Sequence, residues 1–254
     1  MLKTILARIH QGHRTMPYPA EAPVLPELFR GYPQLTPERC PPGCRLCADT
    51  CPFGAISRAD GLSLDTGKCL FCPECSRACP HGAIGFSTDH RLAAGSRQEL
   101  VVRAGDEHRL ARALDAKMLK LFGRSLKLRE VSAGGCNACE ADTNVLSTVG
   151  FDLSRFGIQF VASPRHADGL FVTGPVSENM REALLKTWEA IPAPKLVIAA
   201  GACAINGGPF MDHPEVHNGC DGLLPVDLYI PGCPPHPLTI LDGLLRLLGK
   251  LEEP

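Results

Sequence analysis

The chain has 254 residues, 44% of them apolar, and a formal net charge of −1. That is enough for two domains with buried cores and excludes a largely disordered protein. Near-neutral charge and 6% aromatic residues provide neither the basic footprint nor the stacking surface that nucleic acid requires, so nucleic acid is excluded as a partner.

Residues 1–39 contain six prolines and read as an extended N-terminal arm with one short helix at its start. The opening MLKTILARIHQGHRTMPYP has no apolar h-region, no small-residue cleavage site and no twin-arginine pair. No run of 18 apolar residues follows, so no membrane span is expected. The expected setting is the reducing cytoplasm. There, 13 cysteines signify metal binding rather than a disulfide framework.

Residues 40–88 hold eight of those cysteines in two related halves. Cys51-Pro-Phe-Gly-Ala-Ile56 and Cys79-Pro-His-Gly-Ala-Ile84 are near copies, an internal duplication. The second half, Cys69-x2-Cys72-x2-Cys75-x3-Cys79-Pro80, has the bacterial ferredoxin spacing. Three thiolates on one tight loop wrap three corners of an iron–sulfur cube, and the fourth points to the other cube. The first half, Cys40-x3-Cys44-x2-Cys47-x3-Cys51-Pro52, has one extra residue, which Gly43 can absorb in a turn. The implied sets are Cys40, Cys44, Cys47 with Cys79, and Cys69, Cys72, Cys75 with Cys51. The competing readings are two structural zinc sites, or a first site reduced to 3Fe–4S or lost. Zinc modules favour paired C-x2-C knuckles over a triplet followed by Cys-Pro.

Residues 89–105 read as a polar linker. Leu110, Leu114, Met118 and Leu121 recur at helical spacing, so 106–122 read as an amphipathic helix packed on its neighbours, within a 89–125 connection. From 126 short apolar runs alternate with helical stretches, the pattern of a parallel sheet. Strands are expected near 126–131, 157–162, 169–173, 196–200 and 226–230, and helices near 143–149, 178–190 and 237–249. Met180, Leu184, Leu185 and Trp188 share one face of the second helix, which makes Trp188 a core residue.

Cys136 and Cys139 follow the first of these strands, Cys203 the fourth and Cys233 the fifth. All therefore fall at carboxyl ends of parallel strands, where α/β sheets bind ligands. Four such cysteines suffice for one more 4Fe–4S cube. A C-x2-C pair alone is equally compatible with a redox dithiol or a zinc half-site. Cys220 reads as an unligated thiol, with replacement of Cys203 or Cys233 as the alternative.

Cys136-Asn-Ala-Cys139-Glu140, Ser163-Pro-Arg-His-Ala-Asp168, Thr173-Gly-Pro175, Gly201-Ala-Cys203 and Tyr229-Ile-Pro-Gly-Cys-Pro-Pro235 resemble the small subunit shared by group 4 energy-converting nickel–iron hydrogenases, formate hydrogenlyase and complex I. Residues 1–88, including Tyr18-Pro19 and Phe29-Arg30-Gly31, resemble the polyferredoxin subunit of the same hydrogenases. The chain looks like a fusion of the two.

The resemblance implies an α/β flavodoxin-like parallel-sheet domain over 126–254, preceded by a small α+β bacterial-type dicluster ferredoxin domain over 40–88. It implies that Cys136, Cys139, Cys203 and Cys233 hold the cluster nearest a large catalytic subunit. Ala138 stands where the hydrogenase form has Gly. The separation of Cys136 from Cys139 favours the hydrogenase branch over complex I, whose two cysteines are adjacent. Arg165 and His166 look like a polar loop over the cluster. Glu140 and Asp142 are candidate proton-relay carboxylates, or simply favourable charges at a helix N-terminus.

The expected function is therefore electron relay through three 4Fe–4S clusters, as the small subunit of an oxidoreductase with no complete active site of its own. No G-x-G-x-x-G fingerprint follows a strand. Expected partners are the large catalytic subunit and the membrane subunits of a complex on the inner face of the cell membrane. A soluble ferredoxin or a formate dehydrogenase is the expected donor. The alternatives are the same role in a quinone-reducing or nickel-free complex-I relative, and a zinc-stabilised interaction module.

Overall fold

The structure is a computed structural model and describes residues 2–12 and 14–251. The chain opens with α1 (Leu2–Gln11), and an irregular arm leads to β1 (Pro33–Leu35). The cysteine-rich half contains α2 (Leu46–Thr50), β2 (Ile56–Ser57), β3 (Ser63–Asp65), α3 (Glu74–Ala78), β4 (Ile84–Phe86) and β5 (Val101–Arg103). After α4 (Ala116–Phe122) the order is β6 (Leu126–Ser132), α5 (Ala138–Val145), β7 (Ile158–Phe160), β8 (Gly169–Thr173), α6 (Glu178–Ala190), β9 (Leu196–Ala200), α7 (Ala202–Asn206), β10 (Leu228–Ile230) and α8 (Pro237–Leu247).

The duplication inferred from sequence is visible in the elements. The third cysteine of each run sits inside a short helix, Cys47 in α2 and Cys75 in α3. The fourth, Cys51 or Cys79, caps that helix in extended backbone. β1 pairs antiparallel with β4, and β2, β3 and β5 form an antiparallel three-stranded sheet. Ile56, Leu64, Phe71 and Ile84 form a small core against Cys47, Cys69 and Cys75. This is the fold of a ferredoxin module.

The second half is a five-stranded parallel sheet in the order β10-β9-β8-β6-β7. Numbered within the sheet that is 5-4-3-1-2, the flavodoxin-like order, with its switch point between the first and third strands, β6 and β8. All five residues of both β8 and β9 are buried, as expected for strands covered on both faces. One face packs Leu126, Leu128 and Phe171 against Leu146 and the α8 leucines. The other packs Val131, Leu170 and Val197 against Leu184, Ala204 and Ile205. Met180, Leu185 and Trp188 lean on this second core, so Trp188 packs where its helical face puts it.

Two segments of the connection differ from expectation. Residues 89–105 are not a loose linker. β5 joins the three-stranded sheet, and Ala94 and Tyr229 exchange backbone hydrogen bonds of 3.0 and 2.9 Å at the edge of β10. Helix over 106–122 is confined to α4. Asp115 accepts from the amides of Lys117 and Met118, both at 2.9 Å, and as N-cap it sets the start. Before it, Leu114 N–H donates to Leu247 O, a bond to another element that a helical turn would forgo.

The arm packs on both halves. Tyr18 is buried, and its hydroxyl donates to Asp242 Oδ1 at 2.9 Å. Arg246 Nε donates to the other Asp242 oxygen at 2.9 Å, and Arg155 Nη2 to Tyr18 O at 2.8 Å. Farther along, Arg30 donates to Phe71 O, and the Gly31 amide to Ser87 O at 2.8 Å. A Cβ on Gly31 would lie 2.0 Å from Asp89 O, so only glycine permits that approach.

Candidate metal centres

The sheet-edge centre is built by three strand exits. β6 ends in the Ala133-Gly134-Gly135 turn that presents Cys136. Asn137 then takes a left-handed conformation (φ 70°). That reversal starts α5 at Ala138, earlier than the 143–149 the pattern suggested, and puts Cys139 in its first turn. Cys203 lies in α7 directly after β9. Cys233 follows β10, three residues before His236, which caps α8 by accepting from Leu238 N–H at 3.1 Å. The four cysteines line one cleft, together with Glu140, Gly135 and Gly174. The cleft sits at the β6–β8 switch point.

Its chemistry suits a polynuclear iron–sulfur group. Burial pushes the Cys203 thiol up to about 12, and the neighbouring Cys233 and Cys136 push in the same direction. Burial raises Cys139 further, with Cys203 next among the causes. The crowded thiols of Cys139, Cys203 and Cys233, their ionisation suppressed mainly by burial, make a site that positive charge would relieve, and binding would release protons. Gly201 is the floor: at φ 91° a Cβ there would sit 2.6 Å from Cys139 Sγ. A tetrahedral zinc site gathers four donors within about 2.3 Å of one point. Among the described residues, no three His, Cys, Asp or Glu side chains gather tightly enough for a single ion. Cys136 and Cys233 are exposed, so the centre lies at the surface.

In the ferredoxin half, Cys51, Cys69, Cys72 and Cys75 line a second cleft, with Phe53, Ile56 and Leu64. That is the set expected from the spacing, including the crossed-over Cys51. Burial pushes Cys69 up to about 12 and Cys75 up to about 11. The remaining set is centred on Cys47, which is raised by burial and feels Cys40 and Cys79. Cys44 stands on the turn ahead of α2, its amide bonded to Pro41 O at 3.1 Å with Gly43 at φ 75°. That turn takes up the extra residue of the first run. Backbone amides aim at sulfur at equivalent places: Ala55 N–H to Cys51 Sγ at 3.4 Å, and Ala83 N–H to Cys79 Sγ at 3.3 Å. At Cys79 burial opposes ionisation, but the amides of Ala83, His81, Ile84 and Gly82 outweigh it and lower the thiol.

The remaining candidates separate clearly. Cys220 is fully buried, donates its S–H to Ala204 O at 3.3 Å and packs in the second core. It is not among the residues lining the cleft. Arg165 and His166 are exposed on a short turn and lie outside the lining residues. Glu140 is buried in the lining, and its Oε1 accepts from Thr173 Oγ1 at 2.6 Å. Asp142 is half-buried, raised by burial and partly relieved by His236. Sequence reading missed Glu130. Burial and then Glu140 push its carboxyl up to about 7, and its Oε1 has no hydrogen-bond partner among the described residues.

A flavodoxin-like sheet with a thiol-lined switch point, preceded by a ferredoxin module, defines the redox small subunits of oxidoreductase complexes. Residues 136–247 match the family model described as NADH ubiquinone oxidoreductase, 20 Kd subunit. Formate hydrogenlyase subunit 7 of Escherichia coli is 45% identical over 141 residues, 56% of this chain and 55% of that one. The probable membrane-bound hydrogenase subunit mbhJ of Pyrococcus furiosus is 43% identical over 138 residues, 54% of this chain and 83% of that one. An NADH-quinone oxidoreductase subunit of Heliobacterium modesticaldum is 41% identical over 48% of this chain and 70% of its own length. The chain belongs to this 20 kDa subunit family, and its relatives are subunits of hydrogenases and NADH-quinone oxidoreductases. It spans about half the length of the E. coli relative. Among the described residues no helix is long and apolar enough to cross a membrane.

Proposed function

We propose that the chain is the electron-transfer small subunit of a membrane-associated, complex-I-like nickel–iron hydrogenase and holds three 4Fe–4S clusters. The ligand sets are Cys40, Cys44, Cys47 and Cys79; Cys51, Cys69, Cys72 and Cys75; and Cys136, Cys139, Cys203 and Cys233. The division is an arm over 1–39, a dicluster ferredoxin domain over 40–88, a connection over 89–125 and the 20 kDa-like domain over 126–254. The sheet-edge cleft carries the reading: three distant segments deliver four thiols to one place, at the position where this fold binds ligands.

When bound, a cubane supplies a one-electron site whose potential follows its ligands, the hydrogen bonds to its sulfurs and its exposure. The protein's part is to set those conditions. Amides of Ala55 and Ala83 point at ligand sulfurs. The apolar wall of Ile56 and Leu64 dries the second ferredoxin site. Exposure of Cys136 and Cys233 supports a third site that faces the large catalytic subunit, where the reaction of the complex takes place. Glu140 and Asp142 stand beside that contact as carboxylates able to pass protons. Soluble ferredoxin or a formate dehydrogenase feeds the ferredoxin half, and the membrane subunits of the complex hold the chain at the inner face of the cell membrane.

Iron and labile-sulfide analysis with low-temperature EPR of anaerobically purified protein tests this. About twelve irons per chain and three reducible cubanes are expected, whereas fewer than about eight irons, or tightly held zinc, contradicts it. The identity to the Heliobacterium NADH-quinone oxidoreductase subunit supports a second reading, the same relay in a quinone-reducing relative. The Cys136-x2-Cys139 spacing favours the hydrogenase. Two paired-cysteine motifs in the large subunit made with this chain decide for it.

A further inference from the structure

α1 is a helix without a core: none of its ten residues is buried. Leu2, Ile5, Leu6 and Ile9 recur at three- and four-residue intervals and form one apolar stripe. All four are between 56 and 73% exposed. Farther along the arm, Val24 and Leu28 are 99 and 84% exposed. Elsewhere the exposed large apolar side chains, such as Leu121, Val149 and Phe210, occur singly, as they do on any surface. The amphipathic α8, by contrast, buries every residue against the sheet.

Charge identifies the occupant. α1 carries Lys3, Arg8 and His10 and no acidic residue. The first acidic residue of the chain is Glu21, preceded by Lys3, Arg8 and Arg14, although the whole chain is near neutral. A second copy of α1 would set these like charges against each other, which disfavours self-pairing. Ten residues rise about 15 Å, half of a bilayer core, so the helix lies along a surface and does not cross one. An anionic lipid surface satisfies both faces, with the stripe in the acyl boundary and the basic groups among the phosphates.

We propose that α1 is an interfacial anchor that seats this chain directly on an anionic lipid surface. This rests on the membrane-association part of the proposed function and not on cluster content. Four aliphatic side chains give reversible binding that adds to other contacts and does not replace them.

The test is co-sedimentation of the full, cluster-loaded chain with phosphatidylcholine vesicles, alone or containing about one third phosphatidylglycerol. Stronger partition onto the anionic vesicles, weakened by salt, is expected. The exposed-face variant Ile5→Asn/Ile9→Asn should lower the partition coefficient at least about tenfold. Lys3→Gln/Arg8→Gln should lower it on anionic vesicles only. Equal binding by the Asn variant, or no preference for anionic lipid, overturns the proposal. So does α1-dependent self-association or capture by a protein partner in place of vesicle binding. Iron content measured on the same samples separates a failed anchor from a failed cluster assignment.

Discussion

Replacing Tyr18 by Phe tests whether the arm is held by a specific buried contact. The phenyl ring keeps the edge-on packing against His90, now 5.7 Å between centroids. What goes is the hydroxyl that donates to Asp242 Oδ1 at 2.9 Å, inside a pair whose carboxylate is 1% and guanidinium 8% exposed. A hydrogen bond to a charged group is worth about 1.5–3 kcal/mol, more where the acceptor is left dry. At about 1.4 kcal/mol per tenfold, the arm of Tyr18→Phe should open about 10 to 150 times more often. The assay is amide hydrogen exchange at Met16, whose N–H is bonded to Gly150 O at 2.8 Å and is freed only when this part of the arm lifts. Asp242→Asn combined with Tyr18→Phe should be clearly less than additive, since both act on one contact. Exchange at Met16 within about twofold of the wild type would refute the reasoning and leave Tyr18 as packing alone.

Gly201→Ala puts a methyl 2.6 Å from Cys139 Sγ at φ 91° and should cost the sheet-edge site about four irons per chain, with the ferredoxin EPR signals retained. Loss of iron from all sites, or from none, would contradict the proposed separation into three centres. Cys220→Ala should leave iron content unchanged and destabilise the chain by about 1–2 kcal/mol, measured by thermal or urea denaturation; lost iron would make Cys220 a ligand. Burial depresses the His90 pKa, with Asp242 and Asp89 only partly opposing it. Folding therefore favours the neutral ring, and its contribution is fully present above the ordinary value of about 6.5 and lost as pH falls below it. His90→Gln should flatten the decline in arm protection between about pH 7.5 and 5, and an unchanged profile would remove His90 as the cause.

The sheet was legible because its strands are buried on both sides. GLFVT and LVIAA are continuous apolar runs bounded by turn residues, and nothing else in the chain competes with that pattern. The cysteines that line the two clefts were legible from their spacing and from their places at strand ends. The crossed-over Cys51 and Cys79 follow from the duplication, and Cys203 and Cys233 from strand ends. What escaped depends on partners distant in sequence. β5 exists only because β3 offers it an edge. Leu110 and Leu114 keep helical spacing, yet the Leu114 amide is bonded to Leu247 O, which no local pattern reveals. The early start of α5 turns on one left-handed residue, Asn137. Glu130 interrupts the alternation of its strand, a polar residue where the period calls for an apolar one. It becomes a confined acid because its face is also the face of Leu126 and Leu128, beneath Leu146 and α8.

The arm gives the molecule a second tie between its halves. Tyr18 is fastened to α8, while Arg30 and Gly31 are fastened to the ferredoxin half. Scission of the backbone between 104 and 113 would therefore leave two fragments still clasped. In a system built from separate polypeptides, such a clasp would hold the pair together without help. Joining them end to end fixes their stoichiometry at one to one and replaces a bimolecular encounter by an intramolecular one.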